Sequence, residues 1–128
     1  ITPLASPAFA REHGPFDAPE DLEGVPLLRS PLEPWRTWFA AHDLDWPEPV
    51  DGSQFNDIGL MCDGAAAGMG VALLRLKLAA PWVENGTLVP LFDRRVPSPH
   101  AHYLCWRTGA MDRWECTAFA EWLKKALL

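Results

Sequence analysis

The residues best placed for binding chemistry form one short polar turn, which comprises Gln54, Phe55, Asn56 and Asp57. An extended segment ends at this turn, and a helix is predicted to follow over residues 57–67. A helix that begins directly after a strand has unpaired backbone N–H groups and the positive end of a dipole at its first turn. Such a helix end suits a polar or anionic small molecule, so the sequence predicts small-molecule sensing. Asn56 and Asp57 would also be explained if they served only as helix caps.

Known catalytic motifs have no counterpart in the sequence. It lacks a G-x-S-x-G nucleophile turn, a phosphate-binding P-loop and an H-E-x-x-H zinc motif. His100 and His102 would share one face of a strand, with Cys105 close behind, which would allow a metal site. Histidines that face solvent or are hydrogen-bonded explain the same pattern. We therefore expect neither an enzyme nor a cofactor.

Composition and charge narrow the class of protein. The 128 residues are 48% hydrophobic and include seven Trp, which is typical of one compact domain. The formal net charge of −6 gives no basic surface for a phosphate backbone, so direct nucleic-acid binding by this chain is not expected. The three cysteines form no C-x-x-C pair, and no segment is long and apolar enough to span a membrane. We expect free thiols and a cytoplasmic location.

Strand and helix signals alternate along the first half of the chain. An apolar run over residues 1–5 predicts a strand, and Ser6 with Pro7 predicts the cap and first turn of a helix that ends near Gly14. A second strand is predicted over residues 25–29, which would complete a parallel strand–helix–strand unit. A helix opened by Pro34 carries an aromatic stripe of Trp35, Trp38 and Phe39, which we interpret as core rather than as a ligand box.

The second half continues the alternation. The helix over residues 57–67 is rich in Gly and Ala, which suits either a subunit contact or close packing on its own sheet. A glycine turn around Met69 leads to a strand over residues 71–74. A helix over residues 75–84 should be broken by Pro81, and a strand is expected over residues 88–92. After an irregular linker over residues 93–99, a strand over residues 102–106 is predicted.

The final helix has the clearest amphipathic pattern. Asp112 with Glu115 predicts its cap. Its apolar face comprises Trp114, Ala118, Phe119, Trp122, Leu123 and Ala126. A face of this size needs a covering surface, either a partner chain or another part of this chain, and we expect self-association.

Seven landmarks along the chain carry a family resemblance through their order and spacing. They are residues 3–9 (PLASPAF), 19–22 (PEDL), 26–29 (PLLR), 35–39 (WRTWF), 54–74, 102–104 (HYL) and 119–123 (FAEWL). In this order they resemble the effector-binding domain of LysR-type transcriptional regulators. Within that family the resemblance is strongest to the branch of the glycine-cleavage-operon activator and the β-lactamase regulator, and it covers nearly the whole chain.

The resemblance implies an α/β fold, namely one lobe of a type II periplasmic-binding-protein-like architecture with part of the other lobe. Residues 1–94 would form effector-binding subdomain II. Residues 95–128 would supply the returning strand and C-terminal helix of subdomain I. The N-terminal helix-turn-helix and the first half of subdomain I would be absent from this sequence, and DNA would be bound only through that missing domain.

The resemblance also implies that a small effector, an amino acid or a cell-wall peptide, binds in the cleft between the subdomains. The matched positions are Ser6, Gln54, Phe55, Asn56, Asp57, Met69 and His102. Ser6 could instead be only a helix cap, and Phe55 and Met69 only core residues. A stand-alone module for solute binding or oligomerisation is the alternative function.

Overall fold

The computed structural model describes residues 1–127; Leu128, the last residue of the segment assigned to subdomain I, lies outside the described residues. The described chain forms four β-strands and five α-helices. The strands are β1 (Thr2–Ala5), β2 (Leu27–Leu28), β3 (Val71–Leu74) and β4 (Val89–Pro90). The helices are α1 (Pro7–His13), α2 (Trp35–Ala41), α3 (Ile58–Ala66), α4 (Leu76–Glu84) and α5 (Trp114–Leu127). Short 3-10 turns span Pro19–Leu22 and Ala110–Asp112.

The strands form one sheet in the order β2-β3-β1-β4. β2 pairs in parallel with β3, whereas β1 is antiparallel to both β3 and β4. The prediction that β1, α1 and β2 form a parallel unit is therefore wrong. Because β3 lies between β1 and β2, these strands are not neighbours, and each takes its direction from its own pairing with β3.

The core lies on both faces of this sheet, as the alternation along β3 shows. Val71 and Leu73 pack on one face against α1 and the aromatic residues of α2. Ala72 and Leu74 pack on the other face against α3 and α4. Trp35, Trp38 and Phe39 are buried, so the aromatic stripe of α2 is core, as predicted.

The prediction that Pro81 breaks helix α4 is wrong. The helix continues through Pro81 to Glu84, although proline in a helix interior removes a hydrogen bond at a cost of about 3 kcal/mol. Tertiary contacts on both sides of the proline offset that cost. Ala79 is fully buried, and the Trp82 indole N–H donates to Asp63 of α3 at 2.9 Å.

Two further predictions, for the chain between α4 and the start of α5, are wrong. The strand predicted over residues 102–106 is wrong, because residues 101–107 have no regular structure. Tyr103 is 82% exposed, and no strand of the described chain pairs with this segment. The predicted cap of α5 is also wrong, since Asp112 ends a 3-10 turn and α5 begins at Trp114. Glu115 instead lies 3.4 Å from the Arg113 guanidinium.

Within residues 1–127, no helix combines the length and the apolar character needed to cross a membrane.

Candidate functional site

A pocket of about 230 Å³ lies beyond the carboxyl ends of β2 and β3. Its walls include Glu33, which follows β2, Arg75, which follows β3, and Ile58, the first residue of α3. Gln54 forms a parallel bridge with Arg29, so a third chain segment runs in the same direction toward this edge. In α/β sheets ligands bind outside the carboxyl ends of the parallel strands, and this pocket has that position.

An ion pair between the buried Glu33 and the partly exposed Arg75 lines the pocket. Glu33 is only 2% exposed, and one of its carboxylate oxygens accepts a hydrogen bond from Arg75 Nε. The Ser98 hydroxyl lies 2.9 and 3.0 Å from the two oxygens of the same carboxylate. Because a buried carboxylate is costly unless paired and hydrogen-bonded, this arrangement stabilises Glu33 and fixes the orientation of Arg75.

Sequence reasoning missed all three residues of this network. Glu33 and Arg75 are 42 positions apart, and Glu33 and Ser98 are 65 apart, so their pairing follows only from the sheet topology. Their positions in the sequence could have indicated two of these residues, because Glu33 closely follows a predicted buried strand and Arg75 directly follows another. Polar residues at the ends of parallel strands often line binding sites.

His102 lines the pocket and extends the network toward solvent. Its Nδ1 lies 3.3 Å from Arg75 Nη1. A guanidinium can only donate hydrogen bonds, so this contact is a hydrogen bond in the tautomer of His102 in which Nδ1 accepts and Nε2 carries the proton. His102 thereby offers an N–H donor beside Arg75.

The polar turn lies at the start of α3, next to the pocket. Asn56 and Asp57 are exposed, and the Asp57 carboxylate accepts from Leu60 N at 2.9 Å, which makes it the cap of α3. The exposed Gln54 precedes Phe55, whose backbone N–H donates to Arg29 O at 2.8 Å.

Phe55 and Met69 meet farther along α3, around Gly64. A Cβ atom built on Gly64 would lie 2.9 Å from Phe55 Cζ and 3.3 Å from Met69 Sδ. Close packing of these two side chains therefore favours a small residue at this position. Phe55 is half-buried and Met69 is 48% exposed, so one edge of this contact reaches the surface.

Ser6 lies in a different place from the other predicted site residues. Its hydroxyl accepts from Phe9 N at 3.1 Å and caps α1. It borders an open groove of about 550 Å³ whose walls include Ala67, Gly68 and Thr87. The structure thus places His102 and the polar turn near Arg75, and Ser6 and Met69 elsewhere on this lobe.

The cysteines of the described chain are free thiols. Cys62 of α3 is fully buried, and burial raises its pKa to about 11, with a further contribution from the charges of Asp63 and Asp57. It is therefore a protonated core residue near neutral pH. Among residues 1–127, no three side chains of His, Cys, Asp or Glu are close enough together to hold a metal ion.

Comparison with known proteins gives consistent matches over the whole chain. The family model described as the LysR substrate binding domain matches residues 1–128. The HTH-type transcriptional activator AmpR of Rhodobacter capsulatus is 32% identical over 124 residues, which are 96% of this chain and 41% of that protein. The glycine cleavage system transcriptional activator of Escherichia coli K12 is 27% identical over the same fractions of the two chains. The chain thus spans about two fifths of the length of these curated relatives.

Solved structures support the same assignment. The effector domain of the transcriptional regulator AmpR of Pseudomonas aeruginosa superposes with a TM-score of 0.82 at 26% identity, over 98% of this chain and 60% of that domain. The resemblance deduced from the sequence landmarks, including its branch, is confirmed, as is the α/β, periplasmic-binding-protein-like fold. The chain belongs to the LysR substrate-binding domain family.

Proposed function

We propose that this chain is the effector-sensing regulatory domain of a LysR-type DNA-binding transcriptional regulator, and that a small polar metabolite binds between its two subdomains. The observation that carries the proposal is the pocket beyond β2 and β3, where Arg75, His102 and the start of α3 converge. In this proposal residues 1–94 form subdomain II, residues 95–128 belong to subdomain I, and DNA is bound by a helix-turn-helix domain outside this chain. Binding between the subdomains would shift the equilibrium between two relative angles of the subdomains. The extent of that shift is set by the difference in effector affinity between the two arrangements.

The proposed effector contacts at this pocket are His102 and the polar turn of Gln54, Phe55, Asn56 and Asp57. Ser6 and Met69, which complete the seven matched positions, lie away from the pocket and would contact only a ligand that extends beyond it. The exposed side chains of Gln54 and Asn56 and the Nε2–H of His102 are suited to polar contacts. Phe55 and Met69 offer apolar surface. Relatives carry names that refer to the glycine cleavage system and to a carbapenem-hydrolysing β-lactamase, which supports an amino acid or a cell-wall peptide as effector.

Isothermal titration with the common amino acids and with cell-wall peptides tests this function. We expect at least one compound to bind and Asn56→Ala to weaken it about fivefold, because one neutral hydrogen bond contributes roughly 1 kcal/mol. Asn85→Ala, at the far end of α4, is the matched control and should leave the affinity unchanged. Failure of every compound to bind would contradict the sensing function, whereas full affinity in Asn56→Ala would only remove Asn56 from the site.

Self-association is the second part of the proposal, and the surface of α5 supports it. Trp114, Phe119 and Trp122 are 77%, 58% and 60% exposed, and the rings of Phe119 and Trp122 stack with centroids 5.8 Å apart. Exposed aromatic residues clustered in this way are typical of protein–protein contacts. We infer that a second copy of the protein covers this face.

Sedimentation velocity tests the contact between copies. The protein should sediment as a dimer or larger species, and Trp122→Glu should shift it toward the 14.3 kDa monomer, because a charge in an apolar contact is left unpaired. Val50→Glu is the control, since Val50 is 81% exposed outside α5 and should not change the assembly. A wild-type protein that stays monomeric at high concentration would rule out this use of α5.

A further inference from the structure

We infer that Arg75 binds a carboxylate of the effector, so that the ligand class is a small carboxylic acid with a short apolar body. This inference rests on the proposed function and extends it to a residue outside the matched positions. It follows from three properties of the pocket, which are the orientation of Arg75, the lack of a second carboxylate and the mainly apolar walls.

The guanidinium of Arg75 is held in place before any ligand arrives. Its Nε donates to Glu33, and its Nη1 lies 3.3 Å from His102 Nδ1. Its side chain is 21% exposed and lines the pocket, so its remaining N–H groups are available there. A planar guanidinium presents its N–H groups at the spacing of two carboxylate oxygens, and an arginine already fixed by neighbours loses little freedom on binding.

Apart from its partner Glu33, no carboxylate on the pocket wall is available to pair with the guanidinium of Arg75. Glu33 is the only carboxylate among the wall residues, and it is 2% exposed and already bonded to Arg75 and Ser98. The nearby Asp57 carboxylate caps α3 through Leu60 N. Because Glu33 balances the charge of Arg75, recognition of the ligand depends on directed hydrogen bonds, to which the Nε2–H of His102 can add a further donor.

The remaining walls limit the rest of the ligand. Pro31, Leu32, Ile58 and Leu78 line the pocket beside Arg75, and His100 is the one further polar residue of the wall. The part of the ligand next to the carboxylate should therefore be mainly apolar. A volume of about 230 Å³ is below the range typical of sites that enclose drug-sized ligands. The pocket therefore suits the acidic end of a ligand with a short side chain.

Matched pairs of acids and amides test the inference directly. Dissociation constants are measured for propionate and propionamide and for isovalerate and isovaleramide. Each amino acid that is found to bind is compared in the same way with its own carboxamide. We expect the acids to bind at least about 10-fold more tightly than their amides, since hydrogen bonds to charged groups are the stronger ones. Equal affinity for both members of every pair would overturn the role of Arg75.

Variants then test whether Arg75 causes the preference for acids over amides. Arg75→Gln combined with Glu33→Gln leaves no buried charge unpaired and should remove the preference for acids, and Arg75→Lys should retain only part of it. Lys77→Gln removes a positive charge from the first turn of α4, outside the pocket, and should keep the wild-type preference. If the double variant still prefers acids, the inference is wrong.

The outcomes separate this inference from the function on which it rests. A neutral or cationic compound that binds in the pocket, with no acid preference, would leave the sensing function intact and refute the carboxylate site. If no small molecule binds at all, the proposed function fails and the carboxylate site fails with it.

Discussion

Replacing Trp35 with alanine should lower the free energy of unfolding by about 4 kcal/mol, a large part of the roughly 5–15 kcal/mol typical of a domain. Trp35, the first residue of α2, is fully buried and packs against the sheet. Its ring stacks on Phe39 with centroids 5.6 Å apart, and its indole N–H donates to Leu28 O at 2.8 Å. Alanine would leave a cavity and would also leave that strand carbonyl without its partner.

Urea denaturation followed by circular dichroism measures the effect. Trp35→Phe retains most of the buried ring but loses the hydrogen bond, so it should cost roughly 1–2 kcal/mol. Trp106→Ala is the control, because Trp106 is 57% exposed outside α5 and its loss should change stability by less than about 0.5 kcal/mol. Equal stability losses in Trp35→Ala and Trp106→Ala would contradict the assignment of Trp35 to the core.

Gly70→Ala should also destabilise the protein strongly and lower the free energy of unfolding by roughly 3 kcal/mol. Gly70 directly precedes β3 and has a φ of +157°. A Cβ atom there would lie 2.6 Å from Pro26 O, the backbone oxygen that accepts from Val71 N at 2.9 Å. Because the clash is with backbone, it would push apart the start of the β2–β3 pairing and, with it, the strand ends that position Arg75.

Gly86→Ala is the control, because it introduces backbone strain without a steric clash. Gly86 has a φ of +78°, and nothing lies within 4 Å of the Cβ it would gain, so its substitution should cost only about 1 kcal/mol. Thermal melting of the two variants gives the comparison. If Gly70→Ala melts at or above the temperature of Gly86→Ala, the close approach to Pro26 does not constrain the turn.

The elements with local signals were predictable from the sequence. Ser6 and Asp57 accept from backbone N–H groups at the helix starts they were predicted to cap, because N-capping depends only on residues within one turn. The aromatic spacing of α2 likewise predicted a buried face, and Trp35 and Trp38 are fully buried.

Features that depend on distant parts of the chain were not predictable. The direction of β1 follows from its pairing with β3, and the Glu33–Arg75 pair joins residues 42 positions apart. Residues 102–106 have a strand-like composition but no strand beside them in the described chain, and a strand forms only with a partner. The polar turn and His102, which the sequence indicated, lie next to or in the pocket, and their role in binding stays a prediction. The ion pair of Glu33 and Arg75 became visible only in the fold.

The most direct test of the central claim, effector sensing at the sheet edge, is to map amide chemical-shift changes by NMR while a bound amino acid or carboxylate is titrated into the protein. We predict that the largest changes fall at residues 54–58, at Arg75 and at His102, which lie around the pocket beyond β2 and β3. Changes confined to α5, or to the groove beside Ser6, would contradict the proposed binding site.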